Sequence, residues 1–187
     1  MKFRPTKIAG VCLVEPELFH DVRGFFARTW CEKEFAAHGL NPKLVQCSIS
    51  YNHKKGTLRG LHFQIAPRME AKLIRCTRGA IFDVVVDLRP DSLTYKQWTA
   101  VDLSEDNHCA IYIPEGCAHG FQTLTDQSEV FYQMSEFWAP DLARGIRWND
   151  PELAIQWPAD DRIISDKDKI LPLIKEYEAS ANAQEIP

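Results

Sequence analysis

From residue 72 to residue 136 the chain is a succession of short apolar runs, rich in β-branched and aromatic residues, each cut off by a turn signal. That rhythm is the pattern of an all-β sandwich or barrel. Residues 72–77 run into Arg78-Gly79, which reads as a hairpin corner, and residues 80–88 return. Pro90 and Asp91 close that run; residues 95–103 begin the next, and the polar stretch 104–107 turns it into residues 108–113. Residues 120–124 and 129–136 form a further pair around Thr125-Asp126-Gln127-Ser128. Helix is expected only at residues 31–38, with Gly39 in the C-terminal stop position, and at residues 171–181 after Pro172. The tail from Ser180 to Pro187 is small and polar and is expected to fray. With no repeat, low-complexity tract or linker-like break, residues 1–187 read as one all-β domain with a few short peripheral helices.

Charge narrows the function classes. The formal net charge of −4 argues against non-specific binding of nucleic acid or anionic membrane, which needs a basic surplus. No stretch approaches the roughly 18 apolar residues that span a bilayer, and no apolar run follows the charges of the N-terminus, so a cytoplasmic protein is expected. The six cysteines, at 12, 31, 47, 76, 109 and 117, form no C-x-x-C pair and read as buried free thiols without a chemical role.

Two histidines stand in glycine-marked contexts. In Gly60-Leu61-His62-Phe63-Gln64, strand alternation places Leu61 and Phe63 on one face and His62 on the other. His119 ends Pro114-Glu115-Gly116-Cys117-Ala118-His119, which is similar to the second signature of the cupin jelly roll, where a tight turn brings a histidine to the barrel mouth. The first cupin signature needs H-x-H for its metal, and Gln64 stands in place of the second histidine, so no metal and no cofactor are expected. A histidine near Arg59 and Lys72 suits a general base in a pocket for an anion. Such a base gains from a carboxylate that orients it and an acid that returns the proton, for which Asp168 and Tyr132 are candidates. Taken singly, each residue also has a structural reading: a packed histidine, a strand tyrosine with a satisfied hydroxyl, and Ser165 capping a helix with Asp168 three residues on.

Taken together, the motifs at 21–26, 56–64, 72–76, 82–89, 113–121, 144–151 and 165–168 resemble the dTDP-4-dehydrorhamnose 3,5-epimerases, metal-free cupins of deoxysugar nucleotide pathways, over residues 10–169. The resemblance implies a cupin jelly-roll barrel with His62 as proton acceptor, Tyr132 as proton donor and Asp168 as the partner of the histidine; the enolate such chemistry forms needs a positive charge nearby, for which Lys72 is the best candidate. It assigns Arg23, Arg59, Lys72 and His119 to the diphosphate and sugar, Lys167 to a ligand contact near the C-terminus, and Trp138 to stacking on the base. The implied partner is a nucleotide-diphosphate sugar, and the implied assembly a homodimer built through the N-terminal strands. The aromatic residues Phe19, Phe25, Phe26 and Trp30 could serve there as core or as interface.

The chain departs from the family pattern in segments associated with ligand binding. Arg28 stands where a glutamate is usual, Cys47-Ser48 after Gln46 replaces Asp-Asn, and Ala143 replaces a second glutamate. Arg28, Gln46 and Ser48 are therefore taken as substrate contacts of altered chemistry, and a CDP- or other NDP-linked sugar, or inversion at C3 alone, stays open beside the dTDP sugar. A 3,4-ketoisomerase and a non-catalytic nucleotide-sugar binder are the rival readings.

Overall fold

In the computed structural model, which describes residues 1–184, the strand runs are where the sequence rhythm places them, but they pair differently. In chain order the strands are β1 (Lys2–Pro5), β2 (Cys12–Glu15), β3 (Phe19–Asp21), β4 (Gly24–Phe26), β5 (Gln46–Asn52), β6 (Thr57–Gln64), β7 (Lys72–Arg78), β8 (Ala80–Asp87), β9 (Trp98–Ser104), β10 (Ala110–Ile113), β11 (Cys117–Thr123), β12 (Ser128–Met134), β13 (Ala143–Gly145) and β14 (Ile163–Ile164). One sheet has the order β1-β2-β10-β7-β12-β5; the other runs β13-β6-β11-β8-β9, with β14 parallel beside β6. β3 and β4 form a separate hairpin.

Arg78-Gly79 is therefore no hairpin corner: β7 pairs with β10 and β12, while β8 pairs with β11 and β9. The same correction holds for the turn at 104–107, which carries the chain from β9 to β10 in the facing sheet, and for 125–127, which separates β11 from β12. From β5 to β13 consecutive strands alternate between the two sheets, except for the β8–β9 pair, which is how a jelly roll closes. A turn signal marks where a strand stops, not which sheet the next one joins.

Three apolar clusters follow from this arrangement. Ile74, Ile81, Val85, Ile111, Phe121 and Val130 meet between the sheets. Val84 and Val86, on the opposite face of β8 from Val85, pack against Ile146, Leu153, Ile155 and Trp157 of the C-terminal segment. Burial on both faces explains why residues 81–86 read as an almost continuous apolar run. The outer face of the first sheet buries Leu73 and Tyr112 under Phe35 of α1 (Glu32–Ala37), the helix foreseen at 31–38.

At the other end, α2 (Asp166–Lys169) starts at the Ser165 cap. The last helix, α3, spans Ile174–Gln184 rather than 171–181. Pro172 keeps 171–173 out of it; Glu176 accepts from Leu173 N–H (2.7 Å) and Asp150 from Ile174 N–H (2.7 Å), satisfying the first free donors. The helix takes in the first part of the tail expected to fray, through Gln184, and the last part, 185–187, lies outside the described residues. All six cysteines are free, but only Cys12, Cys76 and Cys117 are buried, and Cys47 is exposed because it lies on the edge strand β5.

β6 and β11 approach unusually closely. Gly60 has φ +120°, and a Cβ there would lie 2.6 Å from the Gly120 Cα and 2.7 Å from the His119 carbonyl oxygen. Backbone cannot yield at that distance, so Gly60→Ala is expected to cost about 3 kcal/mol. In thermal denaturation it should lower Tm by roughly 6–12 °C.

Candidate active site

The ladder between β6 and β11 is irregular beside Gly60, where the register shifts between His119 and Phe121. An ideal strand would put Arg59 and His62, three residues apart, on opposite faces. The irregularity turns both into one cleft, as bulges near active sites do. Leu61 and Phe63 face the C-terminal cluster, as the alternation argument requires. His62 sits directly opposite His119 on β11, so two imidazoles share the cleft wall of one sheet. Tyr132 comes from β12 in the facing sheet, with its ring edge-on to His119 at 5.9 Å.

Each histidine has its own carboxylate. His62 Nε2 lies 2.8 Å from Asp168 Oδ1, and Gly60 N–H donates to Oδ2 at 3.3 Å. Asp168 is positioned by α2, whose cap Ser165 Oγ accepts from Asp168 N–H at 3.1 Å. The capping geometry and the pairing with histidine are thus one feature, not rival readings. Burial pushes the Asp168 carboxyl up, but its hydrogen bonds from His62 and Gly60 and the His62 charge hold it below the usual range. An ionised Asp168 accepts from Nε2–H, which leaves the lone pair of His62 at Nδ1.

The second pair was missed by the sequence reading. His119 Nε2 lies 2.8 Å from Asp83 Oδ2, with Asp83 fully buried and its Oδ1 without a partner among the described residues. Burial drives the Asp83 carboxyl up, opposed by His119 and Lys72. The phenol of Tyr132 is pushed well above the ordinary tyrosine value, first by burial and then by the negative charge of Asp83. Tyr132 therefore stays protonated and is suited to donate.

Lys72 is almost buried, with Nζ 3.0 Å from Glu70 Oε1 and 3.4 Å from the His62 carbonyl oxygen. Glu70 also escaped the sequence reading. Arg59 donates through Nε to Asn52 Oδ1 at 2.8 Å. These groups line a cavity of about 460 Å³ together with Ser48, Trp138, Lys167 and Asp168. It adjoins a second cavity of about 680 Å³ through shared walls at His62, Glu70, Lys72, Trp138, Lys167 and Asp168; Ala143, Arg144 and Tyr177 line its far side. The combined cleft is of the size that takes an extended small molecule. Among the described residues no three histidine, cysteine or carboxylate side chains converge as a metal-ligand group, and no helix is long and apolar enough to cross a membrane.

Three expected contacts are not in the cleft. Arg23 is 85% exposed and pairs with Asp21 beside the β3–β4 turn. Arg28 pairs with Glu34 of α1 at 2.9 Å. Gln46 acts one step back, its Oε1 accepting from the backbone N–H of Trp138 at 2.9 Å and so holding the main chain of a residue that lines both cavities. Of the four N-terminal aromatics, Phe19, Phe25 and Phe26 are exposed at 60%, 47% and 76%, while Trp30 packs against the core under α1.

Comparison with known proteins points to one family. The family model described as dTDP-4-dehydrorhamnose 3,5-epimerase matches residues 5–176. The chain is 45% identical over 171 residues to the dTDP-4-dehydrorhamnose 3,5-epimerase of Methanothermobacter thermautotrophicus, covering 90% of this chain and 91% of that one. It is similar to the Bacillus anthracis enzyme of the same name, solved with TDP and PPi bound, at TM-score 0.89 and 47% identity, covering 92% of this chain and 99% of that one. A Legionella pneumophila 3,5-epimerase solved with dTDP-4-keto-L-rhamnose is 34% identical at TM-score 0.89, covering 96% and 95%.

Proposed function

Since the chain belongs to the dTDP-4-dehydrorhamnose 3,5-epimerase family, we propose that it inverts C3 and C5 of a dTDP-linked 4-keto-6-deoxyhexose in cytoplasmic deoxysugar biosynthesis, by proton transfer between His62 and Tyr132. The observation that carries the reading is the placement of these two groups: they reach one cleft from two facing sheets, one oriented as a base by Asp168 and the other held protonated.

A C4 ketone acidifies the hydrogens on both neighbouring carbons. His62 Nδ1 removes one of them as an enolate forms, and the Tyr132 hydroxyl delivers a proton to the opposite face, which inverts the centre. His62 then gives up its proton to solvent and Tyr132 takes one back before the second centre reacts. The ammonium of Lys72 offers a positive charge to the C4 oxygen as it becomes an enolate, where fixed charge acts most strongly in a water-poor cleft. Arg59 suits the diphosphate with its guanidinium fork, Lys167 adds a cation, and Trp138 offers a face for the base. In this scheme His119, oriented by Asp83, is a donor to the sugar.

The exposed hairpin supports a homodimer. Val22, Phe25 and Phe26 stand in solvent at the β3–β4 tip, and β5 is an open edge carrying Ile49 at 64% exposure. Docking the hairpin of a second copy along such an edge covers both and would bring Arg23 and Arg28 to the neighbouring cleft. Light scattering is expected to give twice the 21.4 kDa chain mass, and Phe26→Asp to shift it toward the monomer.

The experiment for the substrate compares kcat/KM for dTDP-, CDP- and GDP-linked 4-keto-6-deoxyglucose, with product configuration read by NMR. Preference for the dTDP sugar with both centres inverted supports the reading. A CDP preference traced to Arg28 or Ala143, or inversion at C3 alone, would replace its substrate assignment.

A further inference from the structure

Glu70 is a carboxylate in a cleft otherwise suited to an anion. It stands two residues before Lys72, and the two side chains meet in the cavity wall. Ala71 between them is clamped in both directions to Ser135: Ala71 N–H donates to Ser135 Oγ at 2.7 Å, and Ser135 N–H to the Ala71 carbonyl at 3.0 Å. The Glu70 and Lys72 side chains are each only 10% exposed and lie 3.0 Å apart. Arg59 and Lys167, which line the same cavity, pair with no carboxylate among the described residues.

The first cavity therefore has two cationic side chains with undivided charge, Arg59 and Lys167, and one whose charge is offset before any ligand arrives. We propose that Glu70 is a specificity-determining residue that excludes phosphate from the Lys72 end of the cleft, so that a diphosphate settles only at Arg59 and Lys167. An ammonium already paired attracts a fully formed anion weakly, yet it still meets charge that develops at an oxygen during reaction. Without Glu70, a nearly buried and unpaired ammonium becomes a phosphate site. The assignment of the Lys72 end to the sugar rests on the epimerase reading.

Inorganic phosphate titrated into the full chain by calorimetry tests this. Glu70→Gln should bind phosphate on the order of tenfold more tightly than the wild type, Glu70→Asp within about twofold of it, and Glu70→Gln combined with Lys72→Ala should lose the gain. Should Glu70→Gln fail to fold by circular dichroism, Glu70→Ala carries the same expectation. Unchanged phosphate affinity in the folded variant, or a gain that survives Lys72→Ala, overturns the proposal. The readout needs no turnover: a wild type that exchanges no sugar protons removes the epimerase reading, while the phosphate result still decides on Glu70.

Discussion

Replacing His62 by alanine is expected to lower kcat by about 10³–10⁴-fold and to stop exchange of solvent deuterium into C3 and C5 of the sugar, with KM changed little. The imidazole is half exposed in the cleft and touches no core cluster, so its loss removes the base without unfolding the barrel. Asp168→Asn should also be costly. The amide can donate to Nε2, which favours the tautomer with the proton on Nδ1 and blocks the lone pair the reaction needs. A loss of about 10²-fold or more is expected, read as kcat from the same exchange assay. If His62→Ala retains full exchange, His62 is a packing residue and the proposed mechanism fails.

The second large effect separates removal of the proton from its delivery. Tyr132→Phe keeps the ring that packs edge-on against His119 and deletes only the hydroxyl. Deuterium should still enter C3 through His62 alone, while inverted product forms about 10²–10⁴-fold more slowly. Loss of exchange and inversion to the same extent would mean that Tyr132 binds rather than donates. The wild-type pH profile carries the same assignment. Burial and Asp83 hold the phenol protonated above the ordinary tyrosine value near 10, so ionisation of Tyr132 should impose no loss of kcat up to about pH 10.

What was legible in the sequence was local. His62, Tyr132, Asp168 and Lys72 stand in motifs whose spacing survives folding, and the cleft unites them. The strand runs were equally visible, because a β-branched run and its turn lie within a few residues of one another. Pairing was not visible: β7 and β8 are joined by one residue yet lie in different sheets, and a jelly-roll crossover has the same turn chemistry as a hairpin. The shared face of Arg59 and His62 depends on an irregularity beside Gly60 that alternation cannot foresee.

Asp83 and Glu70 were overlooked for different reasons. Asp83 sits inside the apolar run 81–86, and a lone acid at the centre of a buried strand was its signal, since such a group must find a partner. Glu70 lies outside any strand, and only its spacing of two from Lys72 pointed to the pair. Arg23 and Arg28 show the opposite limit: the folded chain leaves them in solvent beside Asp21 and Glu34, outside the cleft in which the sequence reading places them.

The most direct measurement of the central claim is the product formed by the wild-type protein from dTDP-4-keto-6-deoxyglucose in deuterium oxide, resolved by NMR. The account predicts a sugar that keeps its ketone at C4, carries deuterium at C3 and C5 and is inverted at both. A ketone moved to C3, or a recovered sugar without deuterium at either carbon, would contradict it.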